Sequence, residues 1–109
     1  MAKMDIADWR KQIDELDHKL VELLNQRARA AHEIGKLKRK AGMPIYEPDR
    51  ERIIFENVRR ENHGPLPDLE VRHIYERIID VMRNVQKEEI VLKAEAAEAE
   101  TELDSEVND

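Results

Sequence analysis

The sequence predicts an all-α fold of three helices: long, short, long. Three observations predict it. Only three glycines and four prolines stand among 109 residues rich in Ala, Leu, Ile, Glu, Lys and Arg, a composition that favours long helices over a turn-rich sandwich or barrel. Apolar residues then recur at heptad spacing without a proline from Asp5 to Ala41. Finally, Pro44 and the Asn62-His63-Gly64-Pro65 stretch interrupt the pattern where helices should end.

The first helix places Ile6, Trp9, Ile13, Leu16, Leu20, Leu23, Ala30, Ile34, Leu37 and Ala41 on one seam. Asp5 is its expected N-cap, Lys36, Lys38, Arg39 and Lys40 complement the negative end of its dipole, and Gly42 stops it. At 1.5 Å per residue it is about 54 Å long, and nothing else in the chain is long enough to cover it, so the seam is expected to pack partly on a second copy. Glu47-Pro48 opens the second helix, with Ile53, Ile54, Phe55 and Val58 as its apolar residues. Asp68 is expected to cap the third, where Val71, Ile74, Tyr75, Ile78, Val81, Met82 and Val85 recur at three-to-four spacing. Residues 1–93 thus form one helical domain, and the Ala/Glu-rich acidic tail, 94–109, is expected to fray or be disordered because it lacks an apolar face.

Charge narrows the function. The tail holds seven of the 25 acids and no base, which leaves 18 acids against 19 bases in residues 1–93, a nearly neutral body. With four aromatic side chains and no basic stripe, nucleic-acid binding is poorly supported. No apolar run approaches the length of a membrane span, and no cysteine offers a disulfide or thiolate site, so a soluble, cytoplasmic protein is expected. The four histidines form no HxxxH or HExxH pair, and no P-loop, G-x-S-x-G or G-x-G-x-x-G occurs. A pocket without metal or cofactor is the remaining expectation.

Individual cations then carry the interest. Arg27 occupies a seam position where Leu or Ile is expected. A guanidinium there either fixes register or pairs with an internal carboxylate, or else receives a ligand carboxylate inside the bundle. Lys38, eleven residues on, falls within about 20° of the same face, leaving a gap between the two suited to a small dianion; alone it reads as one more lysine ending a helix. Arg10 lies about 25 Å before Arg27 along the axis, so it reaches the same ligand only from an antiparallel second copy, and otherwise is a surface arginine. Glu47 and Glu51 share a helical face, so a carboxylate there could accept from a substrate hydroxyl while Arg50 steadies it or meets another anion; the plainer reading is a solvated helix start. Gln86 follows Ile79 and Met82 beside an apolar face, as a boundary residue or an uncharged donor.

Together these residues resemble the all-α, intertwined-dimer chorismate mutases. The resemblance runs from Trp9 to Gln86 through Trp9-Arg10-x-x-Ile13-Asp14-x-Leu16-Asp17, Leu23-Leu24-x-x-Arg27, Ile34-Gly35-x-x-Lys38, Asp49-Arg50-Glu51-Arg52 and Gln86. It implies a cofactor-free homodimer that rearranges chorismate to prephenate in aromatic amino acid biosynthesis. By the same resemblance Arg10 of one subunit and Arg27 of the other bind substrate carboxylates, Lys38 and Gln86 contact the ether oxygen, and Glu51 binds the ring hydroxyl. Arg50, Glu47 and Met82 complete the wall. Glu47 replaces a frequent aspartate, and Met82 stands where some members carry serine. Isochorismate pyruvate lyase, on the same fold, and a non-catalytic helical dimerisation module remain the alternatives, and a partner synthase is left open.

Overall fold

A computed structural model describes residues 3–93, so the acidic tail lies outside the described residues. Helix α1 spans Ile6–Ala41, α2 Pro48–Glu61 and α3 Asp68–Gln86. Among the described residues there is no strand. None of these helices is long and apolar enough to cross a membrane.

The boundaries follow from local chemistry. Asp5 and Asp8 form a reciprocal capping box: the Asp8 N–H donates to Asp5 Oδ1 at 2.9 Å and the Asp5 N–H donates to Asp8 Oδ2 at 3.0 Å. Two donors that a helix start leaves orphaned are thereby satisfied. At the other end Gly42 takes a left-handed φ of 68°, which lets Met43 N–H reach back to the Lys38 carbonyl at 2.8 Å. Pro48 opens α2, where its missing N–H costs nothing. The structure corrects one expectation: Pro67, not Asp68, is the N-cap of α3, and Asp68 is its first residue. The Asp68 carboxylate is engaged by Asn62, whose amide donates to it at 2.8 Å and to the Leu66 carbonyl at 2.9 Å. Asn62 thus organises the turn between α2 and α3.

Helix α3 is the centre of the packing, lying against both α1 and α2, while α1 and α2 do not pack on each other. Its Ile79, Met82 and Val85 are buried, Val85 to 1% exposure. The α1 face that meets them is not the long seam. It carries Ala28, Ala31, Gly35 and Lys38. Small residues let the helices approach closely: a Cβ on Gly35 would lie 2.7 Å from the Gln86 carbonyl oxygen and 2.9 Å from its Cα. Arg39 fastens the same junction, donating to the Gln86 carbonyl and pairing with Glu88 at 2.6 Å.

The seam itself stays open. Ile6, Trp9, Ile13, Leu16, Leu20 and Leu23 are each about half exposed or more, and no described residue from position 3 to 30 is buried. The radius of gyration is 18.7 Å and the principal extents are 55 × 48 × 15 Å, whereas a compact chain of this size has a radius of about 13 Å. Helix α1 therefore projects as an arm whose apolar face, by the hydrophobic effect, calls for a cover that the other described residues do not supply.

Candidate active site

The site forms where the end of α1, the α1–α2 connection and the end of α3 converge on one ammonium group. Lys38, 6% exposed, donates to Glu47 Oε1 at 2.6 Å, to the Ile45 carbonyl at 2.8 Å and to Gln86 Oε1 at 2.9 Å. An ammonium has three N–H donors, so each has a partner. Burying such a charge is tolerated only with this degree of pairing. Because Gln86 spends its amide oxygen on Lys38, its NH2 group remains as a donor toward the cleft.

A second ion pair lies close by. Arg83 grips Glu51 across α3 and α2: Nε donates to Oε2 at 3.0 Å, and Nη2 lies 2.7 Å from both Oε1 and Oε2. Asp80 adds a contact at 3.3 Å, and the guanidinium lies 5.1 Å from the centre of the Tyr46 ring. The Glu51 hydrogen bonds, against the opposing cost of burial, raise the Arg83 pKa above its ordinary value. Arg83 was missed in the sequence. Its only sequence cue is a place three residues before Gln86, and its partner lies 32 residues away.

One cleft joins these pairs, lined by Arg27, Lys38, Glu47, Arg50, Glu51, Met82, Arg83 and Gln86, with Ile45, Ile54 and Ile79 as its apolar surface. Seven of the eight residues singled out in the sequence therefore meet in space. Arg10 does not: it is exposed near the start of α1 and lines no part of this cleft. Of the two roles the sequence leaves open for Arg50, steadying Glu51 falls to Arg83 instead, and meeting another anion stays open. Met82, 5% exposed, supplies an apolar floor.

The charge balance of the cleft decides what it can hold. Lys38 is matched by Glu47 and Arg83 by Glu51. Arg27, half-buried, and Arg50, exposed, have no hydrogen bond or ion pair among the described residues. Two cations are left over, which suits an anionic ligand. Among the described residues no three His, Cys, Asp or Glu side chains are grouped to hold a metal ion. A larger groove, about 480 Å³, lies between α2 and α3 and shares only Glu51 with the predicted set. Its Arg52 is paired with Glu56 and its Arg72 with Glu76 and the Phe55 ring, which leaves Arg59 as its one arginine without a hydrogen bond or ion pair among the described residues, against two in the Lys38 cleft.

Comparison with known proteins bears on the family of the chain as a whole. Residues 9–87 match the family described as Chorismate mutase type II. The chain is 40% identical over 87 residues to a bifunctional chorismate mutase/prephenate dehydratase of Aquifex aeolicus, covering 76% of this chain but 24% of that protein. It is 29% identical over 85 residues to a chorismate mutase of Methanocaldococcus jannaschii, of which it covers 85%. Among solved structures it superposes on chorismate mutase (form II) of Thermus thermophilus with a TM-score of 0.74 at 32% identity, covering 75% of this chain and 93% of that one.

Proposed function

We propose, because this chain belongs to the chorismate mutase type II family, that the Lys38 cleft converts chorismate to prephenate. The observation that carries the reading is the pair of unmatched cations, Arg27 and Arg50, lining one cleft with Lys38 and Gln86. The reaction is a [3,3]-sigmatropic rearrangement of a dianion. One C–O bond breaks as one C–C bond forms, without a nucleophile or proton transfer, so a site contributes orientation and electrostatic stabilisation. Arg27 holds one substrate carboxylate. The Lys38 ammonium exchanges one of its present acceptors for the ether oxygen, and the free Gln86 NH2 donates to the same atom. Both interactions strengthen as negative charge develops there, which is the condition for lowering the barrier rather than merely binding substrate. Glu51 accepts the ring hydroxyl, and Arg50, Glu47 and Met82 close the wall.

The second carboxylate is assigned to Arg10 of a second copy in a homodimer. What supports this is the exposed apolar arm that carries Arg10: Trp9 and Ile13 flank it, both 54% exposed. Antiparallel pairing of two such arms covers the seam and brings Arg10 of one copy toward the cleft of the other. A purely structural dimerisation module would explain the arm but leave Arg27 unmatched in the cleft.

The test is to follow the loss of chorismate absorbance and the appearance of prephenate in metal-free, cofactor-free buffer, with isochorismate assayed in parallel. Wild type is expected to consume chorismate, and Lys38→Ala to lose roughly 2.7–4 kcal/mol of transition-state stabilisation, on the order of 10²- to 10³-fold in kcat. Release of pyruvate from isochorismate with chorismate untouched would replace the reading by the lyase, and activity unaffected by Lys38→Ala would remove Lys38 from the reacting centre.

A further inference from the structure

We infer that Arg83 is a positioning residue for hydroxyl recognition, setting the Glu51 carboxylate where it reads the substrate ring hydroxyl while keeping its charge away from the cations reserved for the substrate. This rests on the chorismate reading and extends it to a residue outside the predicted set. The contacts themselves make the case. A carboxylate offers about four lone-pair sites, and Arg83 occupies three directions on Glu51, leaving one for a hydroxyl donor. The planar fork of a guanidinium fixes a carboxylate in distance and in plane, which a lysine's single point charge does not.

Arg83 is itself held firmly enough to act as a template. Asp80 lies on its own helix one turn earlier, and the Tyr46 ring closes it from the α1–α2 connection. The side chains of Arg83 and Glu51 are 24% and 20% exposed, so the pair is partly shielded from water. Without Arg83, the Glu51 carboxylate would stand uncompensated in a cleft whose unmatched cations are Arg27 and Arg50. It would turn toward them and compete with the substrate's own carboxylates.

The pair also ties α2 to α3, so the experiment must separate positioning from plain support. Two substrates do this: chorismate, and a chorismate analogue in which the ring hydroxyl is replaced by hydrogen. The measured quantity is the ratio of their kcat/KM values for wild type, Arg83→Met, Arg83→Lys and Glu51→Gln, each checked for wild-type helicity. A hydrogen bond to a charged group sets the scale, so Arg83→Met and Glu51→Gln are each expected to reduce the preference for chorismate about ten-fold. Arg83→Lys should retain part of it, and the double variant should lose no more than either single one.

A fall of equal size on both substrates, with the ratio preserved, would show that Arg83 only supports the fold and would overturn the inference. If Arg83→Met does not fold, Arg83→Lys carries the test alone: an unchanged ratio refutes positioning and a reduced one supports it. Wild type inactive on both substrates would instead overturn the functional reading beneath it.

Discussion

Replacing Gly35 by alanine pits two effects of opposite sign against each other on one atom. Alanine is the better helix former, by about 1 kcal/mol in an exposed helix interior. At position 35, however, the added Cβ meets the Gln86 carbonyl oxygen at 2.7 Å, its Cα at 2.9 Å and its carbonyl carbon at 3.2 Å. All three are backbone atoms, so no side-chain rotation relieves them. Restoring ordinary contact at 3.4 Å requires the end of α3 to withdraw by about 0.7 Å. Overpacking of this kind costs typically about 1–3 kcal/mol, so it outweighs the propensity gain and leaves a net destabilisation of up to about 2 kcal/mol. The larger consequence is catalytic. The withdrawal carries Gln86 away from Lys38, a contact now 2.9 Å long, and a misplacement of about 1 Å can cost on the order of 100-fold. Gly35→Ala is therefore expected to lower kcat/KM for chorismate by about 10- to 100-fold. Urea unfolding and steady-state kinetics at one fixed protein concentration measure both effects, the fixed concentration removing any contribution from association. A variant stabilised by about 1 kcal/mol with unchanged kcat would refute the reasoning, because it would mean that α3 does not press on α1 at this point.

Two further outcomes are expected. Gln86→Glu places a carboxyl beside the Lys38 ammonium, where it is ionised at neutral pH and opposes the charge developing on the ether oxygen. Its activity should be low at pH 7.5 and rise as pH falls toward the ordinary glutamate value of about 4.3, the neighbouring ammonium pushing that limb lower, while Gln86→Ala stays low throughout; parallel profiles for Gln86→Glu and wild type would exclude Gln86 from the reacting centre. Arg10→Ala and Arg27→Ala should each be nearly inactive, yet unfolding and refolding them together should restore roughly a quarter of wild-type sites, since half the dimers formed at random are hybrids with one intact site of two. No recovery would rule out sites shared between copies.

Helix positions and ends were largely legible because they rest on local chemistry: the Asp5 box, the Gly42 stop and Pro48 at the start of α2 each act within a few residues. Asp68 was misplaced by one position because its partner, Asn62, lies across a turn. The face that α1 turns to α3 was hidden for a different reason. Ala28, Ala31 and Gly35 contribute little to a hydropathy pattern, and the bulkier seam beside them dominated it, although the small residues are the ones that permit close approach. In the candidate site, Arg27, Lys38 and Gln86 stood out through their spacing and position. Arg83 did not, since one arginine among many gains meaning only when the fold sets it opposite Glu51.

The connection between α1 and α2 supplies two of the three acceptors that surround Lys38, one from the Ile45 backbone and one from the Glu47 side chain. Surface turns ordinarily tolerate changes of length, because little depends on their path. This one behaves as a measured span: an extra residue between Gly42 and Pro48 would move a carbonyl and a carboxylate together, altering the set of atoms available to the ammonium even though every helix remained intact. The freedom to lengthen or trim the chain is thus withdrawn at one of the places where helical proteins usually have it, and the spacing between two helices becomes part of what holds a buried charge.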